Sequence, residues 1–332
     1  MQKINNYTKI YKTLIRKTQD YIVTNNIKAM ILGISGGIDS TVCAAICHEV
    51  SKRTNIPLIG RSLPTKNNKF EEINTANLVG KAFCDDYKEV NIHGLYNRML
   101  YLIGETEDSC LDLSGNIMYE IIGEFPKQQT LVANGNIQAR LRMIYLYNLA
   151  SIYKGMVIDT DNLTENNLGY FTIHGDVGDF NPIGGLWKTE IFELAKNIKT
   201  EYNLEILFNE SYSNRKIATS YFNKHKAIEE SLKLQPTAGL GITNNDLEEL
   251  GAESYEQVDS ILQEILAWKR FIKKQGVLPE SILEQKEMFL NDQQILNIPI
   301  NIIISVANRH FNSEFKRKQL PIKITREWLL DD

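Results

Sequence analysis

Apolar positions along this chain fall into short continuous runs that alternate with longer stretches of helical periodicity. Ile4, Tyr7, Tyr11, Leu14 and Ile15 recur at helical spacing, which predicts an amphipathic helix over 4–24. Residues 28–34 (KAMILGI) form a short apolar run that ends at Ser35-Gly36-Gly37, the pattern of a buried strand entering a loop. A helix is predicted over 41–50, a strand over 56–59, a helix over 69–83 and a strand over 87–92. Further on, 134–153 reads as a long helix, 156–159 as a strand and 188–198 as a helix. Alternation of this kind argues for an α/β fold with a parallel sheet flanked by helices. In such sheets ligands sit beyond the carboxyl ends of the strands, so chemistry is sought in the loops after Ile34, Ile59 and Ile158.

Two stretches break the alternation. Residues 93–133 read as a small helical insertion, and 200–235, rich in Asn, Ser, Tyr and Lys, as a mobile or lid-like segment. With no internal repeat and no linker to divide it, residues 1–332 are expected to form one domain.

Composition narrows the class. The chain is 43% hydrophobic and 23% charged, enough for a sizeable core in a globular protein. A net charge of −4 makes a nucleic-acid or membrane-surface binder a poor reading. The densest apolar run, 298–307, is interrupted by Pro299, Asn301 and Ser305, and the N-terminal segment has no apolar signal core. A cytoplasmic protein is expected. Cys43, Cys47, Cys84 and Cys110 form no C-x-x-C pair and read as reduced thiols. His48, His93, His174, His225 and His310 are not at metal-ligand spacing.

The sharpest chemical signal is Ser35-Gly36-Gly37-Ile38-Asp39-Ser40, set between a strand and a helix. Adjacent glycines let backbone amides approach an anion, and the following helix adds partial positive charge. Asp39 would repel phosphate unless a metal bridged them, so the hexapeptide suggests Mg²⁺-bound polyphosphate. A plain turn capped by Asp39 or Ser40 is the structural alternative. Lys188 opens a predicted helix, where a cation opposes the macrodipole. Glu165, three residues after Asn162, suits a capping box. Arg140 and Arg142 cannot share a helix face, so one can reach a ligand while the other holds structure.

The loop is not a Walker A motif; it resembles that of the ATP-pyrophosphatase class, which cleaves ATP between its α- and β-phosphates. Within that class, Asn134 through Met143, Thr160-Asp161-Asn162-Leu163-Thr164-Glu165, Gly169-Tyr170-Phe171-Thr172 and Asn181-Pro182-Ile183 are similar to segments of NAD synthetases. Lys188-Thr189-Glu190, Pro236-Thr237-Ala238-Gly239-Leu240 and Phe315-Lys316-Arg317-Lys318-Gln319 continue the match in order. The resemblance implies a Rossmann-like fold of the adenine nucleotide alpha hydrolase type. It implies that Gly33, Ile34, Ser35, Gly36, Gly37, Ile38, Asp39, Ser40, Thr160, Lys188 and Thr237 bind ATP, and that Asp39 and Glu165 hold Mg²⁺. Arg140, Asp179, Lys316 and Arg317 are implied as contacts to deamido-NAD, and Asp39, Glu165 and Lys188 as the catalytic set.

The segment ahead of Ser35 is too short for a glutaminase domain, so free ammonia is the expected nitrogen source. Family members form homodimers, and the same is expected here. The chain departs from many relatives in having Ile173 where they carry Lys and Phe315 where several carry His. Three rivals stand beside this reading: a GMP-synthetase-like enzyme, an enzyme that amidates nicotinate mononucleotide, and a non-catalytic nucleotide binder.

Overall fold

The computed structural model describes residues 4–104, 127–211, 214–235, 246–276, 279, 281–291, 298–317, 322–323 and 325. In its first half the elements are α1 (Tyr7–Thr24), β1 (Met30–Gly33), α2 (Ile38–Thr54), β2 (Leu58–Ser62), α3 (Phe70–Phe83), β3 (Asp86–Glu89), α4 (His93–Gly104), α5 (Lys127–Tyr153) and β4 (Met156–Ile158). There follow α6 (Leu163–Leu168), β5 (Phe180–Asn181), α7 (Lys188–Ser211), α8 (Arg215–Lys233), α9 (Asp246–Leu250), α10 (Tyr255–Lys274), α11 (Ile282–Asn291), α12 (Ile300–Asn312), α13 (Glu314–Arg317) and β6 (Ile322–Lys323).

The strands form one parallel sheet in the order β3-β2-β1-β4-β5-β6. This is the doubly wound arrangement, and the direction of winding reverses between β1 and β4. Both neighbours register on the same residues, with Met30 opposite Leu58 on one side and Met156 on the other. β1 and β4 are covered on both faces, which is why they read as apolar runs without alternation, and β2 is buried throughout although it carries Arg61 and Ser62.

One face of the sheet is packed by α1, α2, α3, α7 and α8 around Leu14, Ile22, Val42, Ile46 and Ile198. The other is covered by α4 and α5 through Ile92, Tyr96, Leu141 and Leu146. α10, α11 and α12 form a further apolar cluster that reaches Leu168 of α6 and Trp187 just ahead of α7. α2 is buried on all sides from Ser40 to Cys47, so that stretch carries no polar face, and Lys52 and Arg53 near its end are exposed. No described helix is long and apolar enough to cross a membrane. Cys43 and Cys47 are buried free thiols, pushed up by burial, and Cys84 is half-buried and free. Cys110 lies outside the described residues.

Two expectations need correction. The described residues of 200–235 are the end of α7 and the whole of α8, two helices packed on each other and on α2 and α3. Tyr202, Ala227 and Ile228 are buried there, so the described part of the segment belongs to the core. The long helix begins at Lys127 rather than 134, and α4 occupies the start of the 93–133 stretch. Residues 105–126 of that stretch lie outside the described residues.

Candidate active site

A cavity of about 500 Å³ opens beyond the carboxyl ends of β1 and β4, at the reversal of winding. It is lined by Gly33, Ile34, Ser35, Gly37, Ile38, Asp39 and Ser40 from the first loop, and by Thr160, Asp161 and Glu165 after β4. Across it, α5 presents Val132, Gly135, Asn136, Ala139, Met143 and Leu146, one helical face at spacings of three and four.

The Ser35–Ser40 loop is held by its own bonds. The Ser35 and Ser40 hydroxyls are 3.0 Å apart, Gly37 N donates to Ser35 Oγ, and Ser40 Oγ and Thr41 Oγ1 both donate to Gly37 O. Gly36 has φ of +87°, and a Cβ there would stand 2.5 Å from the Glu72 carbonyl oxygen. Only glycine meets both conditions. The N-cap of α2 is Gly37, which supplies no side chain, so neither Asp39 nor Ser40 is the cap. Asp39 stands in the first turn with its carboxylate directed elsewhere.

That carboxylate meets Lys188. Its Oδ2 is 2.6 Å from Lys188 Nζ, and Glu165 Oε1 is 3.0 Å from the same nitrogen. Asn162 Nδ2 donates to Asp39 Oδ1 at 2.8 Å. Lys188 is only 2% exposed. Burial alone would push its ammonium down, but Asp39 and Glu165 outweigh burial and hold it well above its usual value. Burial, aided by Asp39 and opposed by Lys188, pushes Glu165 up to about 7. Buried charges persist only when paired in this way.

Glu165 forms the expected capping box and reaches Lys188 with the same side chain. Asn162 Oδ1 accepts from Glu165 N while Glu165 Oε2 accepts from Asn162 N, a full capping box for α6. The other oxygen, Oε1, faces Lys188. The cap thus fixes the carboxylate that serves the site.

α10 braces the same region. Asp259, 2% exposed, accepts from Thr164 Oγ1 at 2.5 Å, from Thr189 N at 3.1 Å and from Thr189 Oγ1 at 2.8 Å. Thr164 Oγ1 in turn accepts from Lys188 N at 2.8 Å. One carboxylate therefore ties the residue before Glu165 to the residue after Lys188. Burial pushes Asp259 up to about 6, against the pull of the two threonines.

The residues expected to meet the second substrate divide. Lys316 lines the cavity, donating to the carbonyls of Gly169 and Phe171 at 2.9 and 2.7 Å. Arg317 does not line it; its guanidinium donates to Asn167 O and Ser313 Oγ. Arg140 is exposed outside the cavity, with Nε donating to Ile173 O, whereas Arg142 lines it and donates to Leu63 O and Asn68 Oδ1. Asp179 is also outside. Its oxygens take Val157 N and Tyr147 Oη, and Asp176 is the acid of that segment lining the cavity. Of the four residues expected to contact deamido-NAD, Lys316 lines this cavity and Arg140, Asp179 and Arg317 do not. Ile173 is half-buried and Phe315 exposed, neither on the cavity wall. Thr237 lies outside the described residues.

Asp161, Asp176, Arg142 and Asp259 were missed as site residues by the sequence reading. Asp161 stands inside the Thr160–Glu165 segment, and an acid at 259 among Val258, Ile261, Leu262 and Ile265 is itself a signal of a paired buried charge.

Comparison with known proteins identifies the family. The profile of the NAD synthase family matches residues 10–320. The NH(3)-dependent NAD(+) synthetase of Methanococcoides burtonii is 31% identical over 260 residues, which are 77% of this chain and 80% of the relative. The protein of the same name from Methanocaldococcus jannaschii is 29% identical over 322 residues, covering 97% of this chain and 96% of its own. The solved NMN synthetase from Francisella tularensis shares the fold, with a TM-score of 0.62 at 24% identity over 95% of this chain and 97% of that one. The chain belongs to the NAD synthase family.

Proposed function

We propose that this chain is an ammonia-dependent NAD synthetase, which activates the nicotinate carboxylate of deamido-NAD with ATP and lets ammonia displace AMP. The observation that carries the reading is the convergence of Asp39, Glu165 and Lys188 beside the Ser35–Ser40 loop. A nucleotide binder has no need of two carboxylates and a buried lysine drawn to one point. The names of the curated relatives support ammonia as the nitrogen donor.

A carboxylate is a poor acceptor for ammonia until its oxygen becomes a leaving group. Attack by a nicotinate oxygen on the α-phosphorus of ATP breaks the bond to the bridging oxygen, and pyrophosphate leaves with the electron pair. Charge grows on that pyrophosphate, and the preorganised donors around it lower the barrier. Loop amides from Gly33 to Ser40, the start of α2 and the Lys188 ammonium supply them, and Thr160 lines the nucleotide site. Asp39 and Glu165 already present oxygens to one cation and fit Mg²⁺, which uses one or two carboxylates together with phosphate oxygens. When bound, Mg²⁺ neutralises polyphosphate charge.

Lys316 and Arg142 give the cavity cations for the anionic groups of deamido-NAD. Arg140 lies on the outer row of α5 with Ile144 and Tyr147, where large apolar side chains are exposed. This row suits a homodimer in which Arg140, Asp179 and Arg317 approach a dinucleotide from outside their own cavity. The same reading keeps residues 1–332 as one cytoplasmic domain that binds neither nucleic acid nor membrane.

The test is an amidation assay with ATP and Mg²⁺, offering deamido-NAD or nicotinate mononucleotide and ammonium or glutamine. NAD forms from deamido-NAD and ammonium. Preference for the mononucleotide, or equal rates with glutamine in ammonia-free buffer, overturns the reading.

A further inference from the structure

Lys224 is a buried cation without an acid of its own. It stands on α8, is 2% exposed, and is not among the residues lining the cavity. No described carboxylate lies within ion-pair distance of its Nζ, and that nitrogen is not one of the fully enclosed polar atoms. Its surroundings are aromatic and cationic. Nζ is 5.0 Å from the centre of the Tyr221 ring and 5.9 Å from that of Tyr202 on α7, while Lys52 Nζ on α2 is 5.9 Å from the same Tyr221 ring. Glu49 on α2 faces Lys52 at 3.8 Å, the far end of ion-pair range. His48 adds no charge, because its Nδ1 is bonded to the Phe83 carbonyl and burial, then Lys224 and Lys52, push the ring down to about 4. The two rings favour an ammonium. Burial first, and then Lys52, still push Lys224 down to about 8 against the pull of Glu49. A buried charge left unpaired tends to neutralise, which here exposes an amine lone pair.

We propose that Lys224 is a modification site that takes up carbon dioxide as a carbamate, held by the Lys52 ammonium in a cluster built from α2, α7 and α8. The inference is independent of the amidation reading above. The lone pair of the neutral amine attacks the carbon of carbon dioxide and forms a C–N bond. One C–O π bond breaks with its electrons passing to oxygen, and the nitrogen sheds one proton to solvent. His48 does not keep that proton, since its ring stays neutral. The product reverses the charge at this position: a cation beside Lys52 becomes an anion beside Lys52. The modified side chain thereby supplies the acid that the cluster lacks. Size selects the reagent. A side chain 2% exposed between two tyrosine rings admits a small uncharged electrophile and excludes a bulky or anionic acyl donor.

The experiment equilibrates the full chain with ¹³C-labelled bicarbonate and carbon dioxide at pH 8, traps carbamates by alkylation with triethyloxonium ion, and locates the ethyl carbamates by peptide mass spectrometry. The α-amino group, which titrates in the same range, is the internal standard. Label is expected on Lys224 at least ~10-fold above any exposed lysine, because about half of its amines are neutral at that pH against under ~1% for an unperturbed lysine. Lys52→Gln, a change on a half-exposed side chain, is expected to lower the trapped fraction at Lys224 several-fold. It removes both the cation that disfavours the ammonium and the partner of the new anion. A labelled α-amino group with Lys224 unlabelled overturns the proposal, a measurement that needs no variant. An unchanged fraction in Lys52→Gln overturns it too. Acetylation of Lys224 by acetyl phosphate in preference to exposed lysines shows that larger donors enter, and overturns the assignment to carbon dioxide.

Discussion

Replacing Lys188 by Met tests the centre of the site without relying on turnover alone. The side chain is almost fully buried, and its ammonium is the shared partner of Asp39 and Glu165 at 2.6 and 3.0 Å. Met retains much of the volume but leaves two carboxylates facing each other. Removing one partner of a buried pair costs about 3–5 kcal/mol. Glu165 limits that cost, because it already sits at about 7 with the lysine in place and rises further without it. A carboxyl whose folded value is raised contributes stability at low pH and loses it as pH rises through that value. The penalty of Lys188→Met is therefore smaller at pH 6 than at pH 8, by roughly 1–2 kcal/mol when a single proton is involved.

The double variant Lys188→Met, Glu165→Gln removes the repulsion and is expected to unfold at a higher temperature than Lys188→Met alone. Both variants lose at least ~10²-fold in pyrophosphate release, the scale of a lost preorganised charge contact. Calorimetry at the two pH values checks the first part and single-turnover pyrophosphate release the second. A double variant no more stable than the single one, or a pH-independent penalty, refutes the electrostatic account.

Two further outcomes follow from neighbouring residues. Asp259→Asn keeps one acceptor oxygen of the two that bind Thr164 and Thr189, so stability drops by about 1–3 kcal/mol; a fall in kcat with little change in KM for ATP shows that the brace positions Glu165 and Lys188, and an unchanged kcat shows that it does not. His310 is buried with Nδ1 3.0 Å from the Asn167 carbonyl, so that nitrogen carries the proton of a neutral ring, and burial beside Arg317 and Lys269 pushes it down to about 2. Its folded value lies below the unfolded one, so it contributes stability above pH ~6.5 that is lost at ~1.4 kcal/mol per unit as pH falls. Because Glu165 and Asp259 move the opposite way, the check is the difference between parent and His310→Gln in denaturant midpoints from pH 7 to 5, where equal slopes would contradict the burial.

The parts of the site written in contiguous residues were legible in the sequence. A strand, two glycines and a helix start place the first loop, and Thr160 through Glu165 place the second, because strand ends in a parallel sheet share one edge. Pairings across the chain were not legible: Lys188 meets Asp39 from 149 positions away. The spacing of Arg140 and Arg142 showed that they part company, but only the packing of α5 on β1 and β4 decides which faces inward. The hairpin of α7 and α8 was misread because the buried positions of α8 are Ala218, Lys224, Ala227, Ile228 and Ser231. Small and polar side chains fill tight helix contacts there, so a count of large apolar residues finds no face.

The placement of Lys188 explains why this geometry uses helix starts. Asp39, Glu165 and Lys188 stand in the first turns of α2, α6 and α7, where unpaired amides favour negative charge and oppose a cation. A lysine there is held by its neighbours: Asp39 and Glu165 on its ammonium, and Asp259 and Glu190 on the amides of Thr189 and Trp187. Glu165 does two jobs with separate oxygens, satisfying the start of α6 with Oε2 and the ammonium with Oε1, whereas the second oxygen of Asp39 takes Asn162 Nδ2. On the proposed mechanism, polyphosphate at the start of α2 competes with Asp39 and Glu165 for the same ammonium. Lys188 then follows the charge to the departing pyrophosphate, while the backbone that carries it is held through Thr164 and Asp259.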